Sequence, residues 1–343
     1  MSLLGARLPI VAAPMAGGPT TVPFALAVAR GGGFPFLAAG YLTTESLQGQ
    51  IDQVRAKGHD FGVNLFVPGR SAVEVGSFAQ YATRLQREAD PYGLVLDPEP
   101  VVDDDLWPAK LALLLADPVP VVSLTFGLPS ARDIADLRRA GSTVLASVTT
   151  PAEAREAEAA GVDGLIVQGP AAGGHSATFD PNRHLSDDRT AAVVGAVKAQ
   201  TRLPIVAGGG VDGPEAVAEL LAAGAESVAV GTVLLLADEA GTSASYRTAL
   251  ADPRFTETVL TRAFTGRPAR ALRNGFIDRH QEAAPDGYPA VHHLTRALRR
   301  AAADAGDTDR LHLWAGTGWR SARAEPAGVL IDWLAGTAHP TLA

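Results

Sequence analysis

From Pro9 to about Ala237 the chain alternates two kinds of segment: short apolar runs, and longer Ala-rich stretches with apolar residues on one face. The runs predict strands at Ile10–Ala13, Phe34–Ala38, Phe61–Phe66, Val119–Leu124, Thr143–Val148, Gly164–Gln168, Pro204–Ala207 and Ser227–Val230. Most are continuous rather than alternating, which means burial on both faces, as in a parallel sheet covered by helices. Eight such strands with helices between them predict an α/β protein of the (β/α)8 TIM-barrel type. The helical stretches carry their own punctuation. Thr150-Pro151-Ala152-Glu153 reads as a capping box with proline at the first helical position. Gly213-Pro214-Glu215 again places proline early, Val217, Leu220 and Leu221 share one face, and Gly224 ends that helix in a left-handed cap. The unit Ala159–Val167 returns as Ala222–Val230, in each case helix end, glycine, acidic turn and buried strand.

Two segments exceed this plan. Residues 67–118 are longer than one helix and a turn, with a loop expected at Asp97–Pro100 and an extra helix at Leu106–Ala116. After Ala237 the alternation stops, and an Arg-rich tail with few strand signals holds Trp314 and Trp319 around Gly316-Thr317-Gly318. The expected organisation is a barrel over residues 1–240 and a C-terminal helical extension over 241–343 packed on it. The length agrees, since 343 residues exceed the ~250 of a typical barrel by roughly that much.

Composition mainly excludes. With no cysteine there is no disulfide framework, thiolate metal site or cysteine nucleophile. A net charge of -8 argues against a general nucleic-acid binder. No apolar run approaches the ~18 residues of a membrane span, and the run Ile10–Ala13, bracketed by Pro9 and Pro14, is too short for a signal peptide core. The expectation is a cytoplasmic protein with no nucleic-acid or membrane partner. Asp103-Asp104-Asp105 reads as a solvated helix start, and no histidine pair has metal-ligand spacing, so no metal is expected.

Barrel chemistry sits at the C-terminal ends of the strands. Those ends carry Ala13-Pro14-Met15, then Asn64, then Gln168-Gly169 followed by Ala172-Gly173-Gly174-His175, then Gly208-Gly209-Gly210, then Val230-Gly231-Thr232. Glycines after the last two strands let backbone N–H groups close on phosphate oxygens, and Gly231-Thr232 reads as a helix start that adds donors and a favourable dipole. A pair of tight βα turns is the plainer alternative. His175 ends a glycine-rich loop directly after a buried strand, so it is expected to face the barrel mouth, where a neutral imidazole takes a proton from carbon or orients an anion. Asn64 and Gln168 bear amides that suit a flavin edge or cap a loop equally well. His292, His293 and His312 are assigned surface or packing roles, and His59, His184, His280 and His339 polar turns.

Together these motifs resemble the nitronate monooxygenase family, formerly 2-nitropropane dioxygenases, over roughly Pro9 to Ala237. The match rests on Ala13-Pro14-Met15, Gly62-Val63-Asn64-Leu65-Phe66, Gln168-Gly169, Ala172-Gly173-Gly174-His175, Ala207–Gly210 and Val230-Gly231-Thr232. Family members often have a polar residue where this chain has Ala172. The resemblance implies an FMN-dependent barrel in which Ala13, Pro14, Met15, Asn64, Gln168, Gly173 and Gly174 adjoin the cofactor. Gly208, Gly209, Gly210, Val230, Gly231 and Thr232 would hold its phosphate, and His175 would be the catalytic base. It further implies oxidation of an alkyl nitronate or nitroalkane, propionate 3-nitronate for example, by molecular oxygen to a carbonyl compound plus nitrite, and leaves room for a homodimer. The same strand-end motifs fit FMN-dependent NAD(P)H:quinone reductases and enoyl-ACP reductases, which stay open as the alternative.

Overall fold

The computed structural model describes residues 3–69 and 73–337; His339 lies outside them. The strands are β1 (Ile10–Ala12), β2 (Phe34–Ala38), β3 (Gly62–Phe66), β4 (Val121–Thr125), β5 (Thr143–Val148), β6 (Gly164–Gln168), β7 (Gly174–His175), β8 (Ile205–Gly208), β9 (Ser227–Val230), β10 (Thr258–Thr261) and β11 (Ala269–Leu272). Eight of them, β1 to β6 with β8 and β9, form a closed parallel barrel. The barrel closes where Ile10, Val11 and Ala12 pair with Val228, Ala229 and Val230. Three strands start later than their apolar runs, β3 by a single residue at Gly62. Pro120 and Pro204 lack the N–H that pairing needs, so β4 begins at Val121 and β8 at Ile205.

The helices are α1 (Val22–Arg30), α2 (Thr44–Arg55), α3 (Val75–Ala89), α4 (Trp107–Ala116), α5 (Ala131–Ala140), α6 (Pro151–Ala160), α7 (Thr190–Lys198), α8 (Pro214–Ala222), α9 (Ala244–Ala251), α10 (Gly275–His280), α11 (Ala290–Asp304) and α12 (Ala327–Leu334). The extra helix of the excursion is α4, one residue shorter than expected. Local signals place several ends. Gly141, Gly161 and Gly224 follow α5, α6 and α8 with positive φ, where side chains other than glycine are strained. At α6 only half of the expected capping box forms. Thr150 Oγ1 accepts from Glu153 N at 3.1 Å, but Glu153 turns away from Thr150. Its Oε2 accepts from Thr149 N and its Oε1 from Phe179 N and Thr178 Oγ1. A buried carboxylate with these partners ties the loop after His175 to the barrel rim.

The outer ring of helices is completed from the far end of the chain. α12 packs between α1 and α8, with Ala327, Leu330, Ile331 and Leu334 fully buried in the main core. A methyl on Gly31 would lie 2.8 Å from Gly328 Cα, so the α1–α12 crossing depends on that glycine. The rest of the tail and the excursion build a second core above the strand ends, in which Phe78, Tyr81 and Leu85 of α3 meet Phe264, Phe276, Val291, Leu294 and Leu298. The tail is helical through α9 to α12, and it adds two strands the sequence did not signal: β10 and β11 form an antiparallel sheet with β7. Their apolar residues serve the second core rather than a barrel, so they form no long continuous run.

His280 is a correction to the sequence reading. It is buried in α10 rather than placed in a polar turn, with Nε2 2.9 Å from Glu88 Oε1. Glu88 also accepts from Arg279 at 2.7 and 3.1 Å and from Arg310 at 2.7 Å. Burial pushes this carboxylate up, but the surrounding cations outweigh it and hold it down at about 2. Glu88→Ala leaves these groups facing a hole. The arginines are partly solvated, which discounts the loss, so the expected cost is about 2–3 kcal/mol, read as a lower urea midpoint. An unchanged midpoint would show that the network does not hold the excursion to the tail.

Candidate active site

The barrel interior becomes polar towards its C-terminal end. Asn64 Nδ2 on β3 donates to Ser123 Oγ at 2.9 Å and Thr125 Oγ1 at 2.8 Å on β4, and Thr125 Oγ1 meets Ser147 Oγ of β5 at 3.1 Å. The Asn64 amide nitrogen is thus committed to its neighbours, while its oxygen accepts from no described residue.

Above this layer the predicted cradle residues converge. Ala13 N donates to Val230 O at 2.9 Å, and Pro14 follows at the rim. A methyl on Gly231 would meet Ala13 Cβ at 3.6 Å and Met15 Sδ at 3.7 Å. Gly208 O accepts from Gly169 N at 2.8 Å, which ties the end of β8 to that of β6. Gly209 and Gly210 have φ of 125° and 77°, conformations that suit glycine. A methyl on Gly209 would lie 2.9 Å from Gly169 O. Gly231-Thr232 does not open an α-helix. It leads into a three-residue 3-10 turn, Thr232–Leu234, so the expected helix dipole is lacking and backbone N–H groups are what remains to offer an anion.

The tail supplies part of this cradle. Gly316 N donates to Thr232 Oγ1 at 2.9 Å, and Thr317 N donates to Ala171 O at 3.1 Å. A side chain on Gly173 would collide with Gly316 N and with Thr232 Oγ1. The glycines of 316–318 are the signal for this role, but their distance in sequence from the strand ends hid it.

Gln168 is turned into its own loop. Its Nε2 donates to His175 O at 3.0 Å, and its Oε1 accepts from Ala177 N at 2.7 Å. His175 is then gripped from the tail. Gly174 and His175 pair with Arg270 and Ala269 of β11, Ser176 N donates to Pro268 O at 2.8 Å, and His175 Nε2 lies 2.9 Å from Thr265 Oγ1. The imidazole sits among Phe126, Tyr288 and Trp314, with ring centroids 5.8, 5.5 and 5.3 Å away.

Around it lie residues that sequence reasoning gave no role in a site. Arg267 is 4% exposed and stacks on Phe126, 4.0 Å from the ring centroid, while it donates to Ser176 O at 3.2 Å and to Thr178 O. Arg299, 6% exposed, donates to Thr295 Oγ1 at 3.0 Å and His292 O at 3.0 Å, with His292 Nδ1 at 3.1 Å. Among the described residues neither guanidinium has a carboxylate partner. Burial pulls both down to about 10, which still leaves them charged. His292 stacks flat on Tyr41 at 4.3 Å, and Tyr288 OH donates to Tyr41 OH at 3.2 Å. His312 packs on Trp314 with Nδ1 buried and unpartnered. His292 and His312 thus have the packing role, not the surface role, of the two read from sequence, and they pack beside the mouth. Asp105 is a second correction: it is not a solvated helix start but accepts from Tyr41 N at 2.8 Å and pairs with buried Lys110 at 2.7 Å. Tyr41 and Phe126 have φ of 67° and 81°, strained conformations for aromatic residues, and both line the mouth.

Burial, then Arg267 and Arg299, pull the His175 imidazole from 6.5 down to about 3. It is uncharged at neutral pH and can accept a proton or donate a hydrogen bond, but it does not carry positive charge to an anion. The two guanidiniums supply that charge. Fold and site together define a protein of the TIM-barrel class, with a backbone cradle at β8–β9 and a histidine-bearing mouth covered by the tail.

The chain belongs to the nitronate monooxygenase family, whose sequence profile matches residues 3–336. A probable nitronate monooxygenase of Staphylococcus aureus (strain Newman) is 33% identical over 339 residues, which cover 96% of this chain and 94% of the relative. A solved nitroalkane oxidase from Streptomyces ansochromogenes superposes with a TM-score of 0.91 at 47% identity, covering 97% and 96% of the two chains. FabK from Thermotoga maritima shares the fold, with a TM-score of 0.74 at 24% identity over 98% and 94%.

Two outcomes follow from this geometry. The unfolded chain binds a proton at His175 near pH 6.5 and the folded chain only near 3, so stability is full above 6.5 and falls as pH drops through that window. Because part of the ring faces the open mouth, the loss from pH 7 to pH 5 is about 1 kcal/mol for this group. Urea titrations of the wild type and His175→Gln should differ by that slope, and parallel curves would contradict the buried neutral imidazole. Gly231→Ala should fold normally, since its methyl meets only ordinary contacts, yet release the FMN that the resemblance implies at least tenfold faster on gel filtration (about 1.4 kcal/mol of affinity). Undiminished retention would remove Gly231 from the cradle.

Proposed function

We propose that the chain is an FMN-dependent monooxygenase of alkyl nitronates, propionate 3-nitronate for example, that uses molecular oxygen to release nitrite and a carbonyl compound in the cytoplasm. The observation that carries this reading is His175 beside two buried guanidiniums that have no carboxylate partner among the described residues. Buried cations left unpaired are costly, and a small anion in the mouth offsets that cost. A nitronate is such an anion.

The residues present fit FMN. Backbone groups of Gly209, Gly210, Gly231 and Thr232, closed over by Gly316 and Thr317, can take the phosphate, with Ala13, Pro14, Met15, Gly173 and Gly174 beside it. Asn64 presents a free amide oxygen below. Gln168 serves the cofactor indirectly, by holding the His175 loop. When bound, FMN supplies the electron acceptor that nitronate oxidation needs. The protein does the rest. Arg267 and Arg299 favour the anion, the aromatic walls of Tyr41, Phe126, Tyr288 and Trp314 exclude water, and His175 either takes the α-proton of a neutral nitroalkane or orients a nitronate that arrives preformed. The cations that weaken the imidazole as a base also strengthen a bound nitroalkane as an acid, because they stabilise the nitronate it becomes.

The test is nitrite release by the holoenzyme with propionate 3-nitronate, set against NADH consumption. Rapid NADH oxidation without nitronate-dependent nitrite would overturn the assignment in favour of a reductase. In His175→Ala, turnover of neutral nitroalkanes should fall about a hundredfold or more, with FMN retained and nitronate turnover largely retained. Normal turnover of neutral nitroalkanes by that variant would remove His175 as the base.

A further inference from the structure

The geometry points to Thr265 as the positioning residue that fixes the tautomer of His175, so that Nε2 carries the hydrogen and Nδ1 presents a lone pair to the mouth. This rests on the reading that His175 meets the substrate, and it asks which ring nitrogen does so.

Thr265 is 1% exposed and sits in a tight turn, Gly266 N donating to Arg262 O at 2.8 Å. Its hydroxyl has two neighbours, His175 Nε2 at 2.9 Å and Arg267 O at 3.4 Å. The hydroxyl has one proton to give. Arg267 O is an acceptor only, and among the described residues no other group donates to it. A buried carbonyl left unpaired costs about 1–3 kcal/mol, so the hydroxyl proton belongs there, even across a long bond. The Thr265 oxygen can then only accept from His175, which requires the hydrogen on Nε2. Nδ1 is left as an acceptor. It has no hydrogen-bond partner among the described residues, and it is not among the buried, unpartnered side-chain atoms that include His312 Nδ1, so it opens to the mouth.

The consequence is directional. With the lone pair on Nδ1, the α-proton of a neutral nitroalkane moves to that nitrogen. The C–H bond breaks, an N–H bond forms, and the electron pair passes onto the nitro group as nitronate. With the opposite tautomer the ring would present an N–H there and serve only as a donor to an anion. Thr265 thereby decides whether the chain accepts neutral nitroalkanes as well as nitronates. Its position gives it leverage, because the same turn leads into β11, the strand that holds the His175 backbone.

The experiment is 15N NMR of histidine-labelled holoenzyme near neutral pH, with the His175 signals assigned by their loss in His175→Gln. The expected result is a protonated Nε2 and an unprotonated Nδ1. In Thr265→Val the two tautomers should mix, and the ratio of neutral-nitroalkane to nitronate turnover should fall about tenfold. Thr265→Ser should restore both. A wild-type His175 protonated on Nδ1, or a Thr265→Val enzyme with tautomer and ratio unchanged, would overturn the proposal. If the holoenzyme released nitrite from neither substrate, the nitronate reading would fail while the NMR result still decided the tautomer.

Discussion

His175 leaves the barrel on the run Gly169–Gly174, which has no rigidity of its own and would let an imidazole point almost anywhere. What fixes it is backbone pairing across the chain: Gly174 and His175 form the last strand of a small sheet whose other members, β10 and β11, come from the tail. The ring is then pinned by Thr265, its carbonyl by Gln168, and the following residues by Arg267 and Glu153. Thr265, Arg267 and Glu153 are themselves buried, and Gln168 is held as the last residue of β6. A loop that is free by composition becomes rigid because it is the edge of a sheet.

That arrangement also sets the electrostatics. The turn that delivers Thr265 delivers Arg267 two residues later, and α11 delivers Arg299 from the other side. Both cations are desolvated and, among the described residues, bonded to carbonyls and a hydroxyl rather than to acids, so their field is not cancelled locally. Burial first, and this field second, keep the imidazoles of His175, His292 and His312 uncharged, and the field leaves positive potential at the mouth. The chain as a whole is acidic, and the contrast shows how little net charge says about a site of a few side chains.

The tail performs three structural tasks. α12 fills the eighth place in the helix ring, the second core roofs the strand ends with help from α3, and the stretch Trp314–Gly318 closes over the cradle. The strained backbones of Tyr41 and Phe126 are sustained within the same assembly, Tyr41 by Asp105 and Lys110 and Phe126 by the guanidinium of Arg267. The cradle needs this closure because only a short turn, not a helix, follows Gly231.

The barrel was legible because its signals are local. Burial on both faces writes continuous apolar runs into most strands, and glycines such as Gly161 and Gly224 mark where helices stop. The strand-end position of His175 and the glycine clusters followed from the same rule. The wall of the site was not legible. Arg267, Tyr288, His292, Arg299 and Trp314 lie about 90 to 140 residues from His175, in a segment where the strand–helix alternation has stopped, and nothing local distinguishes a surface arginine from one buried against a phenylalanine. The sequence alone determined the scaffold and one catalytic candidate, because these rest on short-range periodicity and on the rule that barrels work at their strand ends. Only the tertiary structure decided what surrounds that histidine and its charge state, because these depend on which distant groups share its low-dielectric space.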